Sequence, residues 1–373
     1  MNKLVQKNSD LFFVFILFVT AKIYFYLILL FSKSTLPVNP TYLAQSRLAN
    51  FDGVHYLSIA ENGYGYAQQA FFPLFPILIK LMHQITGVSY LSAGIILSNI
   101  ILLLLLLVFY KWIKKLFDTN ISKWTAILFV SSPMAFFLQC LYTESLFLLL
   151  VALSFLLAGN KKYFLALFVA GIASGTRVVG VFLLPTIIIP YIYSQKSTIN
   201  LKFVTKSVLY CALGVSGIAG YVWYLFVKYN DPLLFLHTQS AFGANRSNGE
   251  LILLPQVLFR YLKILLTVDP STLTFWISVS ELVFLFLAIG ICFAAFKTKI
   301  PKQYTIFSLI LIIFPTLTGT LSSIPRYTLA AIVIPVVFAL SIKNTKNKVF
   351  LVVCMFLFQF VFASLFFAGF FVS

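Results

Sequence analysis

The stretch LFFVFILFVTAKIYFYLILLF, residues 11–31, decides the fold class of this protein. A helix needs about 20 mostly apolar residues to cross the hydrocarbon core of a bilayer, and this run has that length. No cleavage site of the A-x-A type follows it, and it is longer than the apolar region of a signal peptide. The run therefore predicts a first transmembrane helix that stays in the protein.

The whole chain has the composition of a protein that lies in lipid. Of its 373 residues, 61% are hydrophobic and only 10% are charged, whereas about a quarter of a soluble domain is charged. Further apolar runs lie at 89–110, 122–139, 144–159, 163–177, 178–194, 207–228, 272–296, 304–321, 327–342 and 349–371. We predict an all-α polytopic membrane protein with about 11 transmembrane helices. It forms one domain over residues 1–373, with outer loops at about 32–88 and 229–271.

Lysines between the apolar runs predict the orientation. They form clusters at Lys111, Lys114 and Lys115; Lys161 and Lys162; Lys196, Lys202 and Lys206; Lys297, Lys299 and Lys302; and Lys343, Lys346 and Lys348. If the N-terminus is cytoplasmic, every cluster lies inside, as the positive-inside rule requires. The short apolar segment 71–82 contains two prolines and would put the 111–115 cluster outside if it spanned the membrane. We therefore predict an interfacial or re-entrant helix there.

The net charge of +18 does not indicate nucleic-acid binding, because the basic residues form separate loop clusters rather than one stripe. The cysteines at 140, 211, 292 and 354 are widely separated, which predicts neither a zinc site nor a disulfide framework. The five arginines and three histidines instead fall in the predicted outer segments. Since a guanidinium binds phosphate or carboxylate with two parallel hydrogen bonds, the arginines indicate an anion site on the outer face. The alternative is that each arginine pairs with a nearby acid or extends to lipid headgroups.

The first outer loop contains a candidate catalytic carboxylate. Residues 51–64, FDGVHYLSIAENGY, predict a short helix with Asp52 as N-cap and Asn62 and Gly63 as its end. Asp52 and His55 would then meet across one turn. Asp52 is either a simple cap or a general base held at the membrane surface.

Other charged residues lie at the outer ends of spans. Glu144 begins a span, where the helix dipole alone could explain it. Arg177 joins two short spans and needs a partner, which could be Glu144 or an anionic ligand. Arg326 lies at a helix start, where a cation opposes the dipole, so a phosphate ligand is an attractive explanation. Glu281 lies inside a span, and the sequence does not separate a functional role from a buried pairing.

The order of these residues resembles the PIG-V family, the GPI mannosyltransferase 2 enzymes and their prokaryotic relatives, which have the GT-C glycosyltransferase fold. The resemblance begins with FDGVHY at 51–56, AENGY at 60–64 and AFFP at 70–73. It continues with Ser132-Pro133, TESLF at 143–147, GTR at 175–177 and Arg326. The chain departs from the family at Phe51, where a tryptophan is usual, and at Val178-Val179, where Ser-Asn is usual.

The resemblance implies an inverting transfer of mannose or a related hexose from a polyprenyl-phosphate sugar to a lipid-linked or cell-surface acceptor. Asp52 would be the catalytic base, and Arg326 and Arg177 would stabilise the phosphate leaving group. The substrate-binding residues that we predict are His55, Glu61, Phe72, Glu144, Arg177, His237, Arg246 and Arg326.

No metal-binding or nucleotide-binding motif occurs, so we predict no cofactor. A weak divalent site at Asp52 and Glu61 stays open. The expected location is the cell membrane, with the active site outside, and the expected partners are the lipid-linked donor, the acceptor and the bilayer. A transporter or flippase for an anionic lipid or sugar phosphate is the alternative, although transporters usually contain internal repeats, and none is visible.

Overall fold

The computed structural model describes residues 2–39, 46–194 and 200–372, and the side chains from residue 8 onwards. Lys196 of the predicted lysine clusters lies outside the described residues. The α-helices of the described residues are α1 (Asn2–Thr35), α2 (Asp52–Asn62), α3 (Leu74–Thr86), α4 (Tyr90–Leu116), α5 (Thr119–Ser131), α6 (Glu144–Gly159), α7 (Tyr163–Ser174), α8 (Leu183–Ser194), α9 (Leu201–Tyr229), α10 (Leu234–His237), α11 (Leu254–Thr267), α12 (Leu273–Ala295), α13 (Lys302–Thr316), α14 (Ile324–Thr328), α15 (Val333–Ser341) and α16 (Thr345–Phe367). The predicted all-α polytopic class is confirmed.

The helices differ in length and in how many apolar residues they carry. Five helices are long and apolar enough to cross a membrane, namely α1 from Asn8, α4, α9, α12 and α16. Five shorter apolar helices of 10–17 residues accompany them. The predicted count of about 11 spans is therefore not confirmed. Several predicted runs, such as 122–139 and 327–342, contain a helix that covers only part of the apolar run.

Helix α6 shows why an apolar run need not be a full span. It has 16 residues, and ten of them are buried, from Glu144 to Phe155. It packs against α4 and α7. A helix enclosed by other helices does not have to match the bilayer thickness, because protein rather than lipid satisfies its surface. One buried cluster of side chains extends from Val14 to Val372 and includes this helix.

Helices α7 and α9 approach closely because glycines face each other. A Cβ atom on Gly171 would lie 2.0 Å from the Leu213 carbonyl oxygen, and one on Gly217 would lie 2.2 Å from the Gly171 carbonyl oxygen. Small residues allow membrane helices to pack with their backbones in contact. The contact also fixes the end of α7, since a Cβ on Gly217 would lie 2.6 Å from the Gly175 nitrogen.

Charged residues gather at the two opposite ends of α6. At its C-terminal end, Lys115 donates hydrogen bonds to the Gly159 carbonyl and to the Asn160 side chain. At its N-terminal end, Glu144 contacts arginines. A helix of this length spans about 24 Å. The lysine-bearing and arginine-bearing ends that the sequence predicts are thus well separated.

Candidate active site

Asp52 forms an ion pair with Arg326, which lies 274 residues further along the chain. Arg326 Nη1 donates a hydrogen bond of 2.6 Å to Asp52 Oδ2. The predicted N-cap role of Asp52 is wrong, because Phe51 occupies the cap position and Asp52 is the first residue of α2. The predicted end of the helix at Asn62 and Gly63 is correct. The carboxylate faces Arg326 and keeps 27% of its side-chain surface exposed.

Glu144 joins the same guanidinium to a second arginine. Arg177 Nη2 donates a hydrogen bond of 2.7 Å to Glu144 Oε1, and Arg326 Nε lies 3.4 Å from the same oxygen. Glu144 does lie in the first turn of α6, where the helix dipole favours it. Its side chain is only 2% exposed, however, so the arginines supply the compensation that a buried carboxylate needs. Its other oxygen, Oε2, is buried without a hydrogen-bond partner in the described part of the chain.

Asp52, Glu144, Arg177 and Arg326 thus form one group, which we call the carboxylate–arginine cluster. Its two carboxylates and two guanidiniums have no net formal charge. Aromatic rings enclose the cations: Arg326 Cζ lies 5.2 Å from the Tyr142 ring centroid, and Arg177 Cζ lies 5.4 Å from that of Tyr327. Cation–π attraction and exclusion of water both hold the guanidiniums in place. The cluster is therefore pre-organised, and Asp52 is its most exposed member.

Two turns with positive φ place the Asp52–Arg326 pair. Phe51 has φ 56° and directly precedes Asp52, and Ser323 has φ 71° and precedes α14, which contains Arg326. Such a backbone costs about 1–3 kcal/mol in a residue other than glycine and persists where the surroundings impose it. The Phe51 ring packs 5.7 Å from Phe366 and 5.4 Å from Phe371. These contacts stabilise the conformation that turns Asp52 toward the cluster.

The charges of the cluster control the protonation of Asp52. Burial alone would raise the pKa of this carboxyl, but the charge and hydrogen bond of Arg326, with weaker help from Arg246 and His55, bring the pKa below its usual value. Burial lowers the pKa of the His55 imidazole, against the opposing effect of Asp52. The adjacent carboxylates outweigh burial at Arg326 and raise its pKa further. At neutral pH Asp52 is therefore an anion, Arg326 is a cation and His55 is neutral.

His55 and Arg246 both act on the charge of Asp52. The His55 ring stacks on Phe71 at 4.8 Å and meets the edge of Phe242 at 5.4 Å. Arg246 makes only long contacts, at 3.4 Å to the Ser322 hydroxyl and 3.4 Å to the Phe242 carbonyl. No carboxylate pairs with Arg246 within the described residues. It is thus a cation beside Asp52 with weak local partners.

Three predicted substrate-binding residues lie away from the cluster. Glu61 is exposed at the far end of α2, about 13 Å from Asp52 along the helix axis, so the two carboxylates do not share a metal site in this conformation. Phe72 is buried with Tyr221 in a separate apolar group. His237 pairs with Asp231 through a contact of 2.7 Å at an exposed position. Their assigned roles stay predictions.

Sequence reasoning missed the polar contacts of Tyr261, which is 5% exposed and donates a hydrogen bond to Glu281. The signal available was Glu281 itself, because a carboxylate in an apolar span needs a donor. It also missed Lys22, which lies in the middle of α1 against the rings of Phe25 and Tyr26.

Residues 34–181 match the family model described as Mannosyltransferase (PIG-V). The predicted resemblance to the PIG-V family is confirmed. The PIG-V stretch contains Asp52, Glu144 and Arg177, whereas Arg326 lies beyond it.

The chain is also similar to a solved structure, that of the oligosaccharyltransferase of Archaeoglobus fulgidus in its apo form. The TM-score is 0.46 and the sequence identity 14%, over 95% of this chain and 56% of that chain. This chain therefore corresponds to little more than half the length of that protein. A comparison with curated proteins gives no match.

Proposed function

We propose that this protein is a membrane glycosyltransferase that moves a hexose, mannose in the first instance, from a polyprenyl-phosphate sugar to a lipid-linked or cell-surface acceptor. The PIG-V match supports a mannosyltransferase. The observation that carries the proposal is the partly exposed Asp52 carboxylate held by Arg326 at the edge of a buried charged cluster. This arrangement provides one group to accept a proton and cations to receive a phosphate.

In the proposed reaction Asp52 is the general base. It would take the proton of the acceptor hydroxyl as that oxygen forms a bond to the anomeric carbon of the donor. The bond from this carbon to the phosphate oxygen breaks, and polyprenyl phosphate leaves with the electron pair. Attack from the face opposite to the phosphate inverts the configuration. A positioned base of this kind contributes about 10²- to 10⁴-fold to the rate.

The arginines have a second role in the proposal. A carboxylate whose pKa is lowered by an ion pair is a weak base, so Asp52 has to lose part of its contact with Arg326 before it accepts a proton. A donor phosphate that binds Arg326 would compete for the guanidinium and so raise the basicity of Asp52. Arg246 supports the same event, because it lies near Asp52 and has no carboxylate partner in the described residues.

The proposed site faces the outside of the cell membrane. Lys114 pairs with Asp10 near the start of α1, and Lys115 contacts the end of α6 remote from Glu144. The positive-inside rule would put this lysine-bearing end in the cytoplasm. The carboxylate–arginine cluster would then meet lipid-linked sugars in the outer leaflet.

The decisive test replaces the base. We expect Asp52→Asn to lower transfer from polyprenyl-phosphate mannose by at least about 100-fold, measured with radiolabelled donor in membranes. Asp269→Asn is the matched control, since Asp269 is an exposed outer-loop carboxylate that bonds only its own turn. Undiminished transfer by Asp52→Asn would contradict the proposal. If the purified wild type instead moves labelled lipid across vesicles without transferring sugar, the transporter alternative replaces it.

A further inference from the structure

Two buried polar side chains, Glu281 and Tyr261, have no place in the reaction described above. Glu281 lies in the apolar helix α12 and is 3% exposed, and Tyr261 lies in α11 and is 5% exposed. A carboxylate within a membrane span is costly unless donors satisfy it. The donors to Glu281 are the Tyr261 hydroxyl and the Ser323 amide. Both groups are part of the connection from α12 to Arg326.

Tyr261 connects Glu281 to the segment 317–323, which we call the 317–323 loop. Its hydroxyl donates to Glu281 Oε2 and accepts a hydrogen bond of 3.1 Å from the Leu321 amide. The same hydroxyl lies 3.3 Å from Thr320 Oγ1. The Ser323 amide also donates to the Glu281 carboxylate. Glu281 and Tyr261 together thus contact three residues of this loop, namely Thr320, Leu321 and Ser323.

A further contact from α11 fixes the beginning of the loop. Arg260 Nη1 donates a hydrogen bond of 3.0 Å to the Gly319 carbonyl. Gly319 has φ +94°, and a Cβ there would lie 2.9 Å from Arg260 Nη1. The positive φ favours glycine at this position, and the hydrogen bond from Arg260 ties the turn of the loop to α11.

The loop ends where the helix of Arg326 begins. Ser323 is the N-cap of α14, and Arg326 lies three residues further on, less than one turn of the helix. A shift of Leu321 or Ser323 is consequently passed to the guanidinium that holds Asp52 at 2.6 Å and Glu144 at 3.4 Å. Since Ser323 has a positive φ, its conformation depends on such external contacts.

We propose that Glu281 and Tyr261 are positioning residues, which hold the 317–323 loop so that Arg326 stays against Asp52 and Glu144. This inference rests on the proposed function for its effect on the reaction, but not for the hydrogen bonds themselves. Glu281→Gln keeps an oxygen that accepts from Tyr261, whereas Glu281→Leu and Tyr261→Phe remove a partner. The structure therefore orders the variants by severity.

The first measurement needs no substrate. Amide hydrogen exchange over residues 317–328 in detergent or nanodiscs should be faster in Tyr261→Phe and Glu281→Leu than in the wild type, and little changed in Glu281→Gln. Ser278→Ala is the matched control in α12, because Ser278 is buried but bonds only Thr274 of its own helix. Unchanged exchange in a folded Tyr261→Phe protein overturns the inference, whatever the protein catalyses.

The second measurement concerns transfer. We expect kcat/KM to fall about 10- to 100-fold in Tyr261→Phe and Glu281→Leu, because displacement of a catalytic group by about 1 Å has effects of this size.

The acid limb of the pH profile of these two variants should move to higher pH, since Asp52 loses contact with Arg326 while the charges of Arg246 and His55 still act on it. A general loss of stability would lower the rate without moving the limb. Near-normal rates with an unmoved limb contradict the positioning role, and an inactive wild type contradicts the proposed function alone.

Discussion

At the scale of single residues, the ion pair of Asp52 and Arg326 is the feature on which the site depends. The pair is partly open on the side of Asp52 and closed on the side of Arg326, with 27% and 7% of the side chains exposed. Charge and hydrogen bonding therefore act in a setting that water screens only partly. The same setting keeps Asp52 ionised below the pH at which an ordinary aspartate takes up a proton.

The pH dependence of stability should report this pair. The pKa of Asp52 is lower in the folded protein than the ordinary value of 3.8, so the stabilising effect of its charge is complete above about pH 4 and is lost as pH falls through the folded value. We expect Asp52→Asn to be less stable than the wild type by about 2 kcal/mol at neutral pH and so to unfold at a lower Tm. The difference should shrink only below about pH 4. Thermal melts in detergent check this, with Glu61→Gln as an exposed control, and a difference that disappears already at pH 5–6 would contradict it.

At the scale of elements, the contact between α7 and α9 places the Arg177 turn. Gly171 and Gly217 allow the two backbones to touch, and the Ile218 amide donates a hydrogen bond of 3.0 Å to the Ser174 hydroxyl at the end of α7. The Gly175 carbonyl that follows accepts a hydrogen bond of 3.2 Å from the Leu74 amide, the first residue of α3. The turn is thus fixed from two sides.

A methyl group at this contact should separate the helices. We expect Gly217→Ala to destabilise the protein by about 1–3 kcal/mol through overpacking, and to lower transfer because Arg177 moves from Glu144. Gly220→Ala is the control on the same helix, since a Cβ there meets no atom within 4 Å. Thermal melts and transfer assays of both variants test this. Equal behaviour of the two variants would mean that the close approach has no role.

At the scale of the whole molecule, the separation of charge between the two ends predicts the orientation in the membrane. Glu61 is exposed in α2 near the arginine-bearing end, and Lys161 is exposed directly after α6 at the lysine-bearing end. With the native cysteines replaced by alanine, Glu61→Cys should react with a membrane-impermeant maleimide in intact cells. Lys161→Cys should react only after the cells are permeabilised. The reverse pattern would contradict the proposed outward site.

Much of the fold was predictable from local sequence. The start of α6 at Glu144, the end of α2 at Asn62 and the short helix near 71–82, observed at Leu74–Thr86, follow from capping residues, prolines and apolar runs. The number of spans was not predictable from these runs. An apolar run of fewer than 20 residues has the same composition whether lipid or protein surrounds it.

The sequence by itself determined that this is an all-α membrane protein with carboxylates and arginines at one end, because hydropathy and charge are local properties of the chain. Only the tertiary structure decided which charges meet. The 274 residues between Asp52 and Arg326 leave their distance undefined until the helices pack. The same holds for Tyr261 and Glu281, whose contacts with the 317–323 loop depend on how α11 and α12 lie against it. An ion pair needs atoms within about 4 Å, and in this chain packing rather than sequence order sets that distance.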